Sequence, residues 1–183
     1  MSNVSKKQSF LFKIILASML IALNVIMERF LSYNVWNMSI GFSFITVGFA
    51  AVFLGAPYAV IVAGFGDIIG ALLFPFGSYF VGFTLSNMLV GLVLGLFMQK
   101  STNVFKISLA VFINKVVSTL LLNSAFIAIL YRNGLDALPA VLLTRIPTAV
   151  GTLVVEIIIL TLLFDDKSHI KKMLKGAFSS LFV

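Results

Sequence analysis

The stretch Gly66–Asn87 reads GDIIGALLFPFGSYFVGFTLSN, and it interrupts an otherwise apolar part of the chain. A carboxylate stands inside apolar sequence and is followed by a Phe-Pro-Phe-Gly break. Aromatic residues, hydroxyls and an amide come next, before the apolar run resumes. Two apolar segments separated by such a break predict two membrane-crossing helices joined by a loop at one membrane face.

The composition places the whole chain in a membrane. Of its 183 residues, 61% are hydrophobic and only 10% are charged, and the mean hydropathy is +1.14. A soluble domain of this size needs far more surface charge. Cysteine is absent and His169 is the single histidine, so we expect no disulfide, no metal site and no cofactor. The net charge of +7 is concentrated at segment ends, which argues against a nucleic-acid partner.

Six apolar runs are long enough to cross a bilayer, which takes about 20 residues each. They predict an all-α membrane protein, a single bundle of six transmembrane helices without a soluble domain. The first run contains Lys13, Glu28 and Arg29 and lacks a clear cleavage site, so we interpret it as a span and not as a signal peptide. The predicted spans are roughly 9–30, 39–55, 57–75, 79–98, 104–131 and 137–164.

The lysines predict the orientation. With six spans, both termini share one face with the connections near 56 and 99–106, and nearly all basic residues lie there, which predicts cytoplasmic N- and C-termini. Arg29 and Arg132 fall on the other face. The basic tail 165–183 is consistent with either an amphipathic helix on anionic lipid or a solvated end. The basic residues of the cytoplasmic face are Lys6, Lys7, Lys13, Lys100, Lys106, Lys167, Lys171, Lys172 and Lys175.

Polar residues deep in the spans indicate a pocket. Counted along the helices, Asp67, Asn87, Asn123 and Arg145 all lie roughly 12 Å below the outer surface. A shared level on four helices favours one outward-facing pocket, although such residues also tie membrane helices together. Lys115 and Glu156 are predicted to lie within a few turns of one level. They are interpreted either as a structural ion pair or as functional groups.

The outer loops supply aromatic residues, which either anchor the chain at the interface or close over a flat ligand. Small residues four apart, at Gly66 and Gly70 and at Gly91 and Gly95, permit close helix contact. The candidate substrate-binding residues are Arg29, Trp36, Asp67, Phe76, Tyr79, Asn87, Asn123 and Arg145.

Motifs for ATP hydrolysis, zinc proteolysis and esterase chemistry are absent from the sequence. We therefore expect a protein that is not an enzyme, and any uphill transport must draw on a partner or an ion gradient. An autonomous ion-coupled carrier or channel, with a relay formed by Asp67, Lys115, Arg145 and Glu156, is the alternative function.

Four segments carry a family resemblance: GDIIGALLFPFGSYFVGFTLS, ERFLS, IGFSFITVGFAAVFLG and LLNSAFIAILY. Together they resemble the folate-family S components of energy-coupling-factor (ECF) vitamin transporters. The fifth span departs from the folate-type pattern LNTLW, because it keeps Asn123 but lacks the tryptophan.

This resemblance implies a bacterial plasma-membrane subunit that captures a vitamin from outside and topples in the membrane to release it inside. It implies as partners a transmembrane coupling subunit and two ABC-type ATPases, with Ser18 and Ala22 on the docking face of the first helix. Arg145 would pair with a substrate carboxylate. Folate is the first expectation for the vitamin, ahead of pantothenate and of pyridoxine or hydroxymethylpyrimidine.

Overall fold

The computed structural model describes residues 2–35, 38–75, 79–132 and 134–180, with side chains considered within 10–32, 41–75, 79–132 and 134–176. Over these residues the fold is helical apart from one short hairpin. The elements are α1 (Ser2–Arg29), β1 (Tyr33–Val35), β2 (Met38–Ile40), α2 (Ser43–Phe53), α3 (Ala56–Leu73), α4 (Val81–Met98), α5 (Val104–Asn114), a π-helix (Lys115–Asn123), α6 (Ser124–Tyr131), a 3-10 turn (Leu135–Ala137), α7 (Leu138–Phe164) and α8 (His169–Ser180).

Five stretches of the described chain are long and apolar enough to cross a membrane. The protein is therefore an integral, multi-pass membrane protein of helical class. The predicted second span, 39–55, is the one that differs, because α2 has only 11 residues and covers roughly 16 Å. The five stretches are Phe10–Arg29, Ala56–Leu73, Val81–Met98, Val104–Tyr131 and Leu135–Phe164.

The start of the predicted second span is β-structure. Strands β1 and β2 pair antiparallel, with Tyr33 opposite Ile40 and Val35 opposite Met38. Aromatic and β-branched residues favour extended backbone, and the helix begins only after Gly41. The predicted span, 39–55, therefore included the last two residues of β2.

Helices α3 and α4 pack with almost no side chain between their backbones. A Cβ atom on Gly91 would lie 2.5 Å from the carbonyl oxygen of Ala59, and one on Gly95 would lie 2.3 Å from the Cα atom of Ala56. The predicted role of these two glycines in close helix contact is confirmed. The turn into α3 is sharp: Gly55 has φ +94°, and a proline occupies the first turn of the helix.

The fifth crossing changes its helical pitch halfway. Between Lys115 and Asn123 the backbone forms a π-helix, and the Ser124 hydroxyl donates to the carbonyl of Thr119 at 3.2 Å. Such wide turns occur often at functional sites. Here the segment turns Lys115, Thr119 and Asn123 toward the interior cavity described below.

The hydrophobic core occupies one end of the bundle, which we call the packed end. It is built where α2 and α4 end and where α3 and α5 begin. Its buried residues are Ala17, Leu20, Val47, Ala50, Ala51, Leu54, Ala59, Val62, Ala63, Leu94, Met98, Ile107, Ala110, Val111, Leu160 and Phe164. Alanine is frequent in this set, so the helices approach closely. The opposite end, where α1 and α3 finish and α4 starts, we call the open end.

We expect Gly95→Ala to lower thermal stability, because the added methyl group would overlap the α3 backbone. Overpacking of this kind costs about 1–3 kcal/mol. The measurement is thermal unfolding of the purified protein in detergent, followed by circular dichroism.

Gly151→Ala is the matched control for this substitution. No neighbouring group of the described residues lies within 4 Å of a Cβ atom at Gly151, and alanine is the better helix former by about 1 kcal/mol. This variant is expected to melt at the parent temperature or higher. Equal melting temperatures for Gly95→Ala and the parent would contradict the close-packing assignment.

Candidate functional site

A cavity of about 470 Å³ runs from the open end down to the core, a size that suits a small organic ligand. Its floor is apolar and includes Val47, Leu94, Val111 and Leu160. Its polar and charged lining residues are Asn24, Glu28, Arg29, Ser32, Ser43, Asp67, Tyr79, Asn87, Asn114, Lys115, Thr119, Asn123, Tyr131, Thr152 and Glu156. The lining therefore combines apolar walls with convergent polar groups.

Asp67 is the centre of a hydrogen-bonded group in this cavity. Only 6% of the residue is exposed. The Thr84 hydroxyl donates to its Oδ2 atom at 2.5 Å, and the Tyr79 hydroxyl lies 2.8 Å from Thr84 Oγ1. Because the Thr84 hydroxyl donates its single proton to the carboxylate, the Tyr79 hydroxyl is the donor in the second bond. Arg29 Nη2 lies 3.8 Å from Asp67 Oδ1, which supplies the opposite charge that a buried carboxylate requires.

Glycines on α3 make room for the polar side chains of α1. A Cβ atom on Gly66 would lie 2.2 Å from Asn24 Nδ2, and one on Gly70 would lie 2.8 Å from Arg29 Nε. Asn24 in turn accepts a hydrogen bond from the Thr46 hydroxyl at 2.5 Å. The predicted small-residue spacing at Gly66 and Gly70 thus admits polar side chains as well as a neighbouring helix.

Glu28 adds a second carboxylate to the same wall. It lines the cavity and interacts with both Asp67 and Arg29. One guanidinium therefore faces two carboxylates. This part of the wall offers acceptors to a ligand that brings N–H or O–H donors.

The asparagines supply further groups for a ligand. Asn123 Oδ1 and Asn114 Oδ1 are buried and have no hydrogen-bond partner among the described residues. Asn114 Nδ2 donates to the carbonyl of Val90 at 3.3 Å, which fixes Oδ1 as the open acceptor of that amide. Asn87 also lines the cavity. A buried acceptor without a partner is costly, so these amides are positioned to accept from a bound molecule.

Lys115 and Glu156 form an ion pair inside the cavity lining, with Nζ 2.7 Å from Oε1. Their predicted approach is confirmed. The lysine begins the π-helix and the glutamate comes from α7, so the pair ties the fifth crossing to the last one. Since both residues also face the cavity, the structural and functional interpretations of the pair are compatible.

Aromatic rings line the open end of the cavity. Phe80 and Phe83 are among the lining residues and form an edge-to-face cluster with Phe126, with centroid distances of 5.2 to 5.9 Å. Phe42 and Phe44 also line the cavity, and their ring centroids lie 6.2 Å apart. Such rings offer faces and edges to a flat ligand.

Of the eight predicted site residues, the structure gathers five in the lining: Arg29, Asp67, Tyr79, Asn87 and Asn123. Trp36 and Phe76 lie outside the described residues.

Arg145 is half-buried and is not among the lining residues. It precedes the lining residue Thr152 by seven positions, which places it on the same face of α7, roughly 10 Å nearer the start of that helix. Its Nη1 atom is buried without a hydrogen-bond partner in the described chain.

The predicted docking residues lie on the outside of the bundle. Ser18 and Ala22 are exposed on α1, and the Ser18 hydroxyl donates to the carbonyl of Ile14 at 3.0 Å. The hydroxyl is therefore satisfied within its own helix, and the neighbouring residues Ile15 and Met19 are exposed apolar side chains.

Sequence reasoning missed Asn24, Glu28 and Asn114. The sequence pattern could have predicted the first two. Asn24 and Glu28 are four residues apart, so they lie on one helix face, and both are polar residues at membrane depth. Asn114 adjoins the charged residue Lys115, and a single amide next to a charge has no sequence pattern of its own. Phe42 and Phe44 carried no distinguishing pattern among 19 phenylalanines.

We expect removal of one partner of the Lys115–Glu156 pair to destabilise the protein more than removal of both. Lys115→Met leaves a carboxylate buried without its cation, at a cost of about 3–5 kcal/mol. The double variant Lys115→Met/Glu156→Met should lose much less. Unfolding in mixed micelles gives the coupling by a double-mutant cycle.

Lys100→Met is the control, since this lysine is exposed and its loss should change stability by no more than about 0.5 kcal/mol. Additive effects of Lys115→Met and Glu156→Met would show that the two side chains do not stabilise each other.

Comparisons with known proteins agree with this architecture. A solved structure titled "Crystal structure of FolT bound with folic acid" superposes with a TM-score of 0.77 at 28% identity, covering 86% of this chain and 95% of that one. A folate transporter, FolT, of Clostridium novyi (strain NT) is 37% identical over 112 residues, 61% of this chain and 65% of that protein. FolT of Leuconostoc mesenteroides subsp. mesenteroides is 29% identical over 124 residues, 67% and 66% of the two chains. The matches thus span slightly less than two thirds of these relatives.

The sequence profile of the family described as "ECF-type riboflavin transporter, S component" matches residues 10–169. This match covers nearly the whole chain, and it confirms the resemblance to S components that the motifs indicate. The protein therefore belongs to this family of ECF transporter S components, a family of transporter subunits and not of enzymes.

Proposed function

We propose that this protein is the substrate-binding S subunit of an ECF-type vitamin importer and that its vitamin is folate. The observation that carries the proposal is the open-end cavity, in a fold that matches folic-acid-bound FolT over 95% of that chain. The two curated relatives, both named folate transporters, support the same vitamin.

The chemistry of the cavity fits folate in two respects. The pterin ring carries N–H donors, which suit the Asp67 carboxylate and the open Asn123 acceptor. The glutamate end carries carboxylates, which require cations or N–H donors. Lys115 lines the cavity, and Arg145 holds a buried Nη1 atom without a partner. Both side chains are candidates for binding the glutamate carboxylates of folate, with Arg145 nearer the open end of the bundle.

Riboflavin is the second candidate, because the matching family is described as a riboflavin transporter family. Its flat ring also carries an N–H donor, but it has no carboxylate. Loss of Asn123 should therefore weaken either vitamin, whereas loss of Arg145 should weaken only an acidic one. The two substitutions together distinguish the ligands.

In this proposal the chain crosses the bacterial plasma membrane six times, with α2 and the preceding hairpin forming the second crossing. Both termini lie in the cytoplasm, as the distribution of lysines predicts. The cavity then opens outward. A transmembrane coupling subunit docks on the face of α1 that contains Ser18 and Ala22. Toppling of the S subunit, driven by ATP hydrolysis on two partner ATPases, releases the vitamin inside.

We expect Asn123→Leu to weaken folic acid binding roughly tenfold, as the loss of one hydrogen bond of about 1–1.5 kcal/mol predicts. The stability of the protein should not fall, because Asn123 Oδ1 is buried without a hydrogen-bond partner among the described residues. The measurement is calorimetric titration of the purified protein with folic acid and with riboflavin.

Thr161→Val is the matched control. The Thr161 hydroxyl is also buried without a hydrogen-bond partner in the described part of the chain. It is not among the residues that line the cavity, so folic acid affinity should be unchanged. Arg145→Ala, titrated in the same way, tests the carboxylate contact. Binding of neither vitamin by the parent protein would contradict the assignment, and binding of riboflavin alone would replace folate.

We expect uptake of labelled folic acid by proteoliposomes only when the coupling subunit and both ATPases are present together with ATP. The chain itself has no ATPase motif. Proteoliposomes holding this subunit alone, with and without an ion gradient, are the control. Accumulation driven by the gradient without partners would favour the alternative of an autonomous carrier.

A further inference from the structure

The C-terminal helix α8 is fixed to the packed end by a group of residues that we call the latch: Thr102, Asp166 and Lys171. The Thr102 N–H donates to Asp166 Oδ2 at 3.0 Å, and the Asp166 N–H donates back to the Thr102 carbonyl at 2.7 Å. Lys171 Nζ lies 2.5 Å from both Asp166 Oδ1 and Thr102 Oγ1. These bonds join the turn after α7 to the loop between α4 and α5.

The carboxylate of Asp166 in the latch is charged at neutral pH. The hydrogen bond from Lys171 holds the pKa of the Asp166 carboxyl below its ordinary value, so the carboxylate stays charged well into the acid range. Thr102 is fully buried, which gives the latch a rigid base. The first turn of α8 therefore has a defined position at the end of the bundle and is not a loose tail.

Helix α8 has two distinct faces. Ile170 and Met173 are 45% and 65% exposed and lie three residues apart, on one side of the helix. Lys172 and Lys175 are exposed as well and lie three residues apart on the other side. The helix His169–Ser180 contains no acidic residue. Exposed apolar side chains opposite lysines are typical of a helix that lies in a membrane surface.

The position of α8 indicates what covers its apolar face. The last stretch that is long and apolar enough to cross a membrane ends at Phe164, and α8 begins five residues later, so a bilayer crossed by α7 would end close to the start of α8. Ile158 and Leu162, near the end of α7, are exposed and so contact lipid on that side. We propose that α8 lies on an anionic lipid surface, with Ile170 and Met173 in the acyl boundary and Lys172 and Lys175 on the headgroups.

The absence of cysteine from the chain makes a direct test possible. Met173→Cys and Lys172→Cys, each labelled with the fluorophore NBD, place one probe on either face of α8 in the full-length protein. The proteins are reconstituted in phosphatidylcholine vesicles with or without phosphatidylglycerol. In anionic vesicles, the probe at 173 should shift to the blue and be quenched by nitroxide lipids at least roughly twofold more than the probe at 172.

Charge reversal tests the electrostatic part of the proposal. Lys172→Glu/Lys175→Glu in the Met173→Cys background should abolish the difference between anionic and neutral vesicles, and high salt should reduce it in the parent. Circular dichroism of each protein checks that helix content is retained.

Two results would overturn the proposal. Equal, water-like emission at 172 and 173 in anionic vesicles would show that α8 is solvated. A blue shift at 173 that appears only after addition of the coupling and ATPase subunits would show that the apolar face docks a protein. Neither result depends on which vitamin is bound, so the test is independent of the proposed function.

Discussion

Close approach to the backbone of α3 is the constraint on which the rest of the bundle depends. Toward the packed end, Ala56 and Ala59 meet Gly95 and Gly91 of α4, and the two helices share a common core. Toward the open end, Gly66 and Gly70 of α3 leave space for side chains of α1. In lipid, helices gain little from hydrophobic association, so shape and internal hydrogen bonds must hold them together.

Helix α3 also carries Asp67, a carboxylate that would be unstable in contact with lipid. Asp67 is acceptable at this depth because Thr84, Tyr79 and Arg29 surround it, and because the glycines beside it admit the arginine. Lys115 and Glu156, which also line the cavity, neutralise each other's charge by forming an ion pair. Once both sets of charges are compensated internally, a polar cavity exists inside a protein whose outside is apolar.

The two ends of the molecule therefore differ in what they are suited to do. The packed end buries small residues tightly and presents α8 through a latch of three side chains. The open end keeps about 470 Å³ unfilled, with acceptors and rings along its walls. The open end is thus a preformed cavity of the kind that small organic ligands occupy.

The sequence by itself determined the class of the protein, because long apolar runs and lysines at segment ends are local properties that lipid imposes directly. It also predicted that Asp67, Asn87 and Asn123 share one pocket, and all three line the cavity. Only the tertiary structure decided which faces turn inward. Helix rotation depends on packing: it brought Asn24, Glu28 and Asn114 into the cavity lining, and Arg145 is not among the lining residues of the described chain. Hydropathy could not separate β2 from α2, since strand and span are equally apolar.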